Sequence, residues 1–214
     1  MKKMMISVIL LLAILTGLSA CSKSGKDSSS PSSSNVETQA PEHEQSVCEL
    51  LNGMTRVTYQ KISLHITTQT GDMELEGRYS LTQSKVTYSV ERMNLLPEDG
   101  NLDGISPDGK SVLEGTATVE NGKITKLDGD AVELPTYEEL RGAFDFQEDY
   151  FKNVESKSGF FSADVVSASS FLGTNKALKD VRLTVEYSAS ALEKLVITYQ
   201  TANTTVTTEY VFEK

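Results

Sequence analysis

Alternation of apolar and polar residues, repeated run after run, constrains this chain most. Met73, Leu75, Tyr79 and Leu81 share one parity, as do Val181, Leu183, Val185 and Tyr187. Leu195, Ile197 and Tyr199 repeat the pattern, and so do Val206, Tyr210 and Phe212. A period of two sends these side chains to one face of a strand and their polar neighbours to the other. Further runs cover 57–66, 86–93, 112–119 and 123–127, with a phase shift at Gln60-Lys61 that suggests a bulge. Asn121-Gly122 between two such runs is a strong hairpin signal. About eight strands result, mostly sequential neighbours, which predicts one antiparallel meander with a wet face.

Two segments break the period. Val47, Leu50, Leu51 and Met54 recur at helical spacing, and Gly53 marks a stop, so a short N-terminal helix should run over 42–51 with Cys48 beside its apolar face. Thr136-Tyr137-Glu138-Glu139 fits a capping box and predicts one or two helices over 136–156. Six of the seven phenylalanines (Phe144, Phe146, Phe151, Phe160, Phe161 and Phe171) lie in this insert and its continuation. Phenylalanine has no polar tip, so these rings must press against the inner face of the sheet. The expected fold is α+β: a curved antiparallel sheet, an N-terminal helix, and a Phe-rich helical insert on the concave side.

The N-terminus is of another kind. Lys2 and Lys3 precede an apolar run from Met4 to Leu15, and Leu18-Ser19-Ala20-Cys21 follows. A positive start, a short apolar run and small residues describe a secretion signal, and the run is too short for a membrane span. The Leu-Ser-Ala-Cys run resembles the lipobox of bacterial lipoproteins. That resemblance implies that the signal, residues 1–20, is cut away, and that Cys21 carries the lipid and becomes the first mature residue. Eight serines in the thirteen residues Ser22–Ser34 then make 21–43 a flexible leash, about 25 Å long as a coil. The folded domain occupies 44–214, a monomer held at the extracytoplasmic face of the cell membrane.

Composition excludes some partners. The formal charge is −10, and loss of Lys2 and Lys3 with the leader takes it to −12. Such a surface repels nucleic-acid phosphates and anionic headgroups, so membrane contact falls to the acyl chains. With Cys21 lipidated, Cys48 has no disulfide partner within the chain.

The order of elements over 44–214 resembles the half-barrel of the Lol lipoprotein carriers and related mycobacterial lipoproteins, which hold acyl chains on the concave side. The resemblance implies binding or transfer of a lipid or other hydrophobic ligand, without catalysis. The residues themselves suggest a lining of Phe144, Phe151, Phe160, Phe161 and Phe171 over Leu64, Leu75, Tyr88, Leu183 and Ile197. The alternative is an envelope scaffold or sensor that binds a protein. A carrier needs a continuous apolar cavity behind the insert, whereas an interaction module needs a packed interior and an open edge.

Other chemistry is thin. Asp99, Asn101 and Asp103, with Gly104, match the first half of a calcium loop, but Lys110 stands where the bidentate glutamate belongs. A polar connection whose Asp, Asn and Gly serve turn geometry is the ordinary account of those residues. His43 and His65 have no metal-ligand spacing around them, and no nucleophile elbow, phosphate loop or Cys-x-x-Cys is present. The acid pairs Glu138-Glu139 and Glu148-Asp149 read as solvated helix faces. No cofactor is implied, and no catalytic residue is assigned.

Overall fold

A computed structural model describes residues 46–93, 110–174 and 177–214. They form one antiparallel sheet of ten strands with a few short helices, a sheet-rich α+β fold. The first five strands are β1 (Lys61–Thr70), β2 (Met73–Leu81), β3 (Lys85–Met93), β4 (Lys110–Glu120) and β5 (Lys123–Gly129). The other five are β6 (Phe151–Lys157), β7 (Phe160–Val165), β8 (Lys179–Tyr187), β9 (Leu192–Thr201) and β10 (Thr204–Glu213).

The strand order is β5-β4-β3-β2-β1-β10-β9-β8-β7-β6. Two five-strand meanders therefore lie side by side, joined where β1 pairs with β10 from Lys61↔Glu213 to Gln69↔Thr205. The sheet is open, with β5 and β6 as its edges, and it is neither closed nor strongly curled. This corrects the expectation of about eight strands in a half-barrel. The two additional strands are β6, which begins inside the segment expected to be helical, and β7, which lies in its Phe-rich continuation. Val57 and Tyr59 lie outside β1, so the phase shift at Gln60-Lys61 marks the strand's start rather than a bulge.

This topology explains the insert. The chain leaves β5 at one edge and must begin β6 at the other. Nine inter-strand steps make that a journey of roughly 43 Å. The twenty-one residues between them fall short as one continuous helix, which would span only about 32 Å, so part of the segment must be extended. They cross the inner face, so their apolar side chains are buried in transit: Leu134, Tyr137, Leu140, Phe144 and Phe146. Two short helical elements lie on the way: α2 (Tyr137–Arg141), started by the expected capping box of Thr136 and Glu139, and a single 3-10 turn at Glu148–Tyr150.

Helix α1 (Val47–Thr55) begins at a capping box of Ser46 and Glu49 and buries Cys48, Leu51 and Met54. It runs two residues past Gly53, because three apolar anchors outweigh one glycine's cost of roughly 1 kcal/mol. Tyr59 fastens α1 and the crossing segment to the sheet. Its N–H donates to Tyr137 Oη at 2.6 Å, and Tyr137 Oη donates to the Tyr59 carbonyl at 2.8 Å. The Tyr59 hydroxyl donates to the Met54 carbonyl and accepts from the Leu192 N–H. Four hydrogen bonds thereby satisfy six polar groups at one junction.

Candidate functional site

On the inner face the phenylalanines meet. The Phe146 ring lies 6.4 Å from Phe144, 6.2 Å from Phe151 and 5.6 Å from Phe171, centroid to centroid. Phe151 lies 5.3 Å from Phe171 and 5.5 Å from Phe161, both edge to face, and Phe144 meets Tyr210 at 5.1 Å. These are contact separations for aromatic pairs. The crossing backbone is fixed as well, since Asn52 donates to the Phe146 carbonyl at 2.7 Å and accepts from its N–H at 2.8 Å.

Of the residues expected to line a cavity, Phe144, Phe151, Phe161 and Phe171 belong to this layer. Leu64, Leu183 and Ile197 belong to the same continuous core. Phe160 does not belong with them. It is half-buried beside Phe161, with the Lys157 ammonium 4.9 Å over its ring, and strand alternation turns it to the outer face. Leu75 is buried but outside the continuous core. Tyr88 also belongs to the continuous core, and its ring reaches over β4 and β5 so that its hydroxyl donates to the Asp130 carbonyl. Phe146, the ring at the centre of the layer, is absent from the expected lining. Its place follows from the crossing path, which only the strand order reveals. Cys21, His43 and the loop residues Asp99, Asn101 and Asp103 lie outside the described residues.

Two surface clefts stand out among the described residues. One, of about 260 Å³, lies between α1 and α2, with Asn52, Arg56, Glu138, Arg141 and Asp145 in its wall. The other, of about 600 Å³, lies on the β6–β8 side, where Lys152, Asp164, Asp180 and Arg182 surround Val165 and Val181. Both are open and charged, and both suit polar contacts better than an acyl chain. Where an acyl cavity is expected, the phenylalanine rings occupy the space.

The outer face is wet and rich in hydroxyl groups. Across its centre Glu76 receives Arg78 at 2.6 Å and stands 3.6 Å from His65 Nε2, while Lys194 meets Glu209 at 2.7 Å. The Arg78 hydrogen bond, ahead of its charge and that of His65, holds the Glu76 carboxyl below its ordinary range. Among the described residues no group of three or more His, Cys, Asp or Glu side chains is placed to hold a metal. Cys48 is buried in α1, where desolvation and then Glu148 push its thiol up, which disfavours the reactive thiolate.

Burial also marks the inner face by titration. It pushes Tyr79 up to about 12 and raises Tyr199 and Tyr210 in the same direction. In the unfolded chain these phenols ionise near 10. Above that pH the folded state holds protons that the unfolded state has lost, so stability falls as pH rises. Urea denaturation midpoints should therefore begin to ease down near pH 9, where the unfolded Cys48 thiol ionises, and drop more steeply between about 10 and 12. Tyr79→Phe should flatten part of that drop. A midpoint indifferent to pH up to about 12 would mean that these phenols are wet.

No family model matches the chain, and no curated protein matches it. The reading of function rests on its own residues.

Proposed function

We propose that this chain is a membrane-anchored extracytoplasmic lipoprotein that works by non-catalytic binding to protein, as an envelope scaffold or sensor module. The anchor reading rests on Lys2-Lys3, the apolar run and Leu18-Ser19-Ala20-Cys21. Two acyl chains on one cysteine suffice for stable anchoring where a single chain does not. The observation that favours protein over lipid as the bound partner is the phenylalanine layer. Phe144, Phe146, Phe151 and Phe171 lie in ring contact where an acyl chain would need roughly 300–1,000 Å³ of apolar space. The open sheet meanwhile offers two strand edges unpaired among the described residues, of the kind that extended segments recognise by main-chain hydrogen bonds.

Two measurements test this. The wild-type chain should sediment with membranes and take up radioactive palmitate. Cys21→Ser should appear in the medium or as uncut precursor, without label; a Cys21→Ser chain still matured and membrane-bound would end the anchor reading. Organic extraction of the purified Cys21→Ser chain should yield no stoichiometric lipid by mass spectrometry. A bound acyl species at about one per chain would restore the carrier and displace the protein-binding reading.

A further inference from the structure

The edge strand β5 holds a combination that a guarded edge does not need. Its partner residues on β4 show a register shift between Thr118 and Val119, so Thr125 is an extra residue. In a regular strand positions 124 and 127 face opposite sides. Here Ile124 pairs with Val119 and Leu127 with Ala117, both of which point into the buried inner face. Ile124 and Leu127 therefore share that face, yet each is 38% exposed because no described residue covers the outer flank of β5. Lys123, Lys126 and Asp128, paired with Glu120, Thr118 and Thr116, lie on the other face.

The main chain agrees. The Val119 N–H donates to Ser84 on the far side of β4, so Val119 and Ile124 form a non-hydrogen-bonded pair. The Glu114 carbonyl accepts from the Asp130 N–H, so alternation turns the Ala117 amide away from β5 as well. The peptide groups of Ile124 and Leu127 consequently point outward from the sheet. One strand thus presents two apolar side chains on one face, two cations and an anion on the other, and two outward sets of donors and acceptors; Lys126, at the centre of the strand, is free to extend its ammonium into water.

We propose that β5 pairs antiparallel with β5 of a second copy of this chain, with Ile124 opposite Leu127 and Lys123 opposite Asp128. Two-fold symmetry makes each contact twice, as a self-complementary interface requires. A single register satisfies the apolar pairs, the charge pairs and the outward amides together, and it joins two ten-stranded sheets edge to edge. In place of the monomer expected from the sequence, the pairing names a partner for the interaction module, on which reading it rests. Lysines on an edge also discourage random pairing, which leaves this register as the favourable one.

Cross-linking between two variants of the full chain reads the register directly. Ile124→Cys and Leu127→Cys are each made on the Cys21→Ser chain, and Cys48 stays buried in α1. Opposed Cα atoms in a hydrogen-bonded pair lie about 5.5 Å apart, within disulfide range, whereas position 124 and its own symmetry mate lie roughly 10 Å apart. Mild oxidation of the mixture should give covalent dimer at least about fivefold above either variant alone. Equal yields in all three samples, or none, overturn the pairing. Sedimentation supplies a second arm: Lys123→Asp or Asp128→Lys alone should weaken self-association about tenfold, and the two together should restore it. A pair of substitutions that fails to restore association also overturns the pairing. Bound lipid beside a register-specific cross-link would sink the protein-over-lipid reading alone. A lipid-free chain without a cross-link would sink the pairing alone.

Discussion

Phe146→Ala should lower the free energy of unfolding by about 3–5 kcal/mol, the range for removing a buried phenylalanine. The structure argues for the upper part. Phe146 is 2% exposed and stands against Phe144, Phe151 and Phe171. A cavity costs less when its walls can close, and here the wall is tied down. Both peptide groups of Phe146 that face Asn52 are hydrogen-bonded to it, so the backbone is held in place after the ring has gone. The hole should stay dry and apolar, and should take up benzene or xenon. With total stabilities near 5–15 kcal/mol, the variant will have lost a large share of its margin. Denaturation should show a lower midpoint with an unchanged slope. A loss under about 1 kcal/mol would show that the rings are not tightly packed, and would return the acyl cavity to consideration.

The same residue shows what could be read in advance. The alternating runs locate eight strands, the Asn121-Gly122 turn and the α2 capping box, because each depends on neighbours within a few positions. Strands β6 and β7 escape such a reading for a physical reason. Phe151 is the only buried residue of β6, so that strand has no alternation to read. In β7, Phe161, Ser162 and Ala163 are buried in succession, which gives a continuous run rather than a period. The capping box at Ser46 and Glu49 is just as local, yet apolar spacing and Gly53 alone place the helix too early and end it too soon. Phe146 could not be placed without knowing that its segment crosses from one edge to the other. That path is set by β1 pairing with β10, a contact between residues about 150 positions apart. Gathering the phenylalanines against the inner face is correct in outline, whereas the outward turn of Phe160 depends on the parity of a strand that local pattern does not show.

Gly115→Ala should cost about 1–3 kcal/mol through overpacking, and the damage should be confined to one flank. An added Cβ would sit 2.5 Å from the Asp128 carbonyl oxygen, 2.5 Å from Tyr88 Oη and 2.9 Å from Gly129 Cα. Two of these three neighbours are backbone, so no rotamer change relieves them. Tyr88 explains why glycines stand here: its ring lies across β4 and β5 to reach Asp130, over Gly115 and over Gly129, whose φ of +127° already excludes other residues. The least costly relief is for β5 to move. It is an edge strand with every residue exposed, and it holds few contacts beyond its ladder with β4. Hydrogen exchange should therefore accelerate at β5 and the facing amides of β4 while β8, β9 and β10 keep their protection. Adding Tyr88→Phe should recover only part of the loss, since the Asp128 carbonyl remains. Protection lost evenly across the sheet would show that β5 is bound into the global unit rather than laid on its margin. The paired register proposed for β5 makes a further demand: once that strand is displaced, the disulfide cross-link between positions 124 and 127 of the two copies should vanish before the protein unfolds.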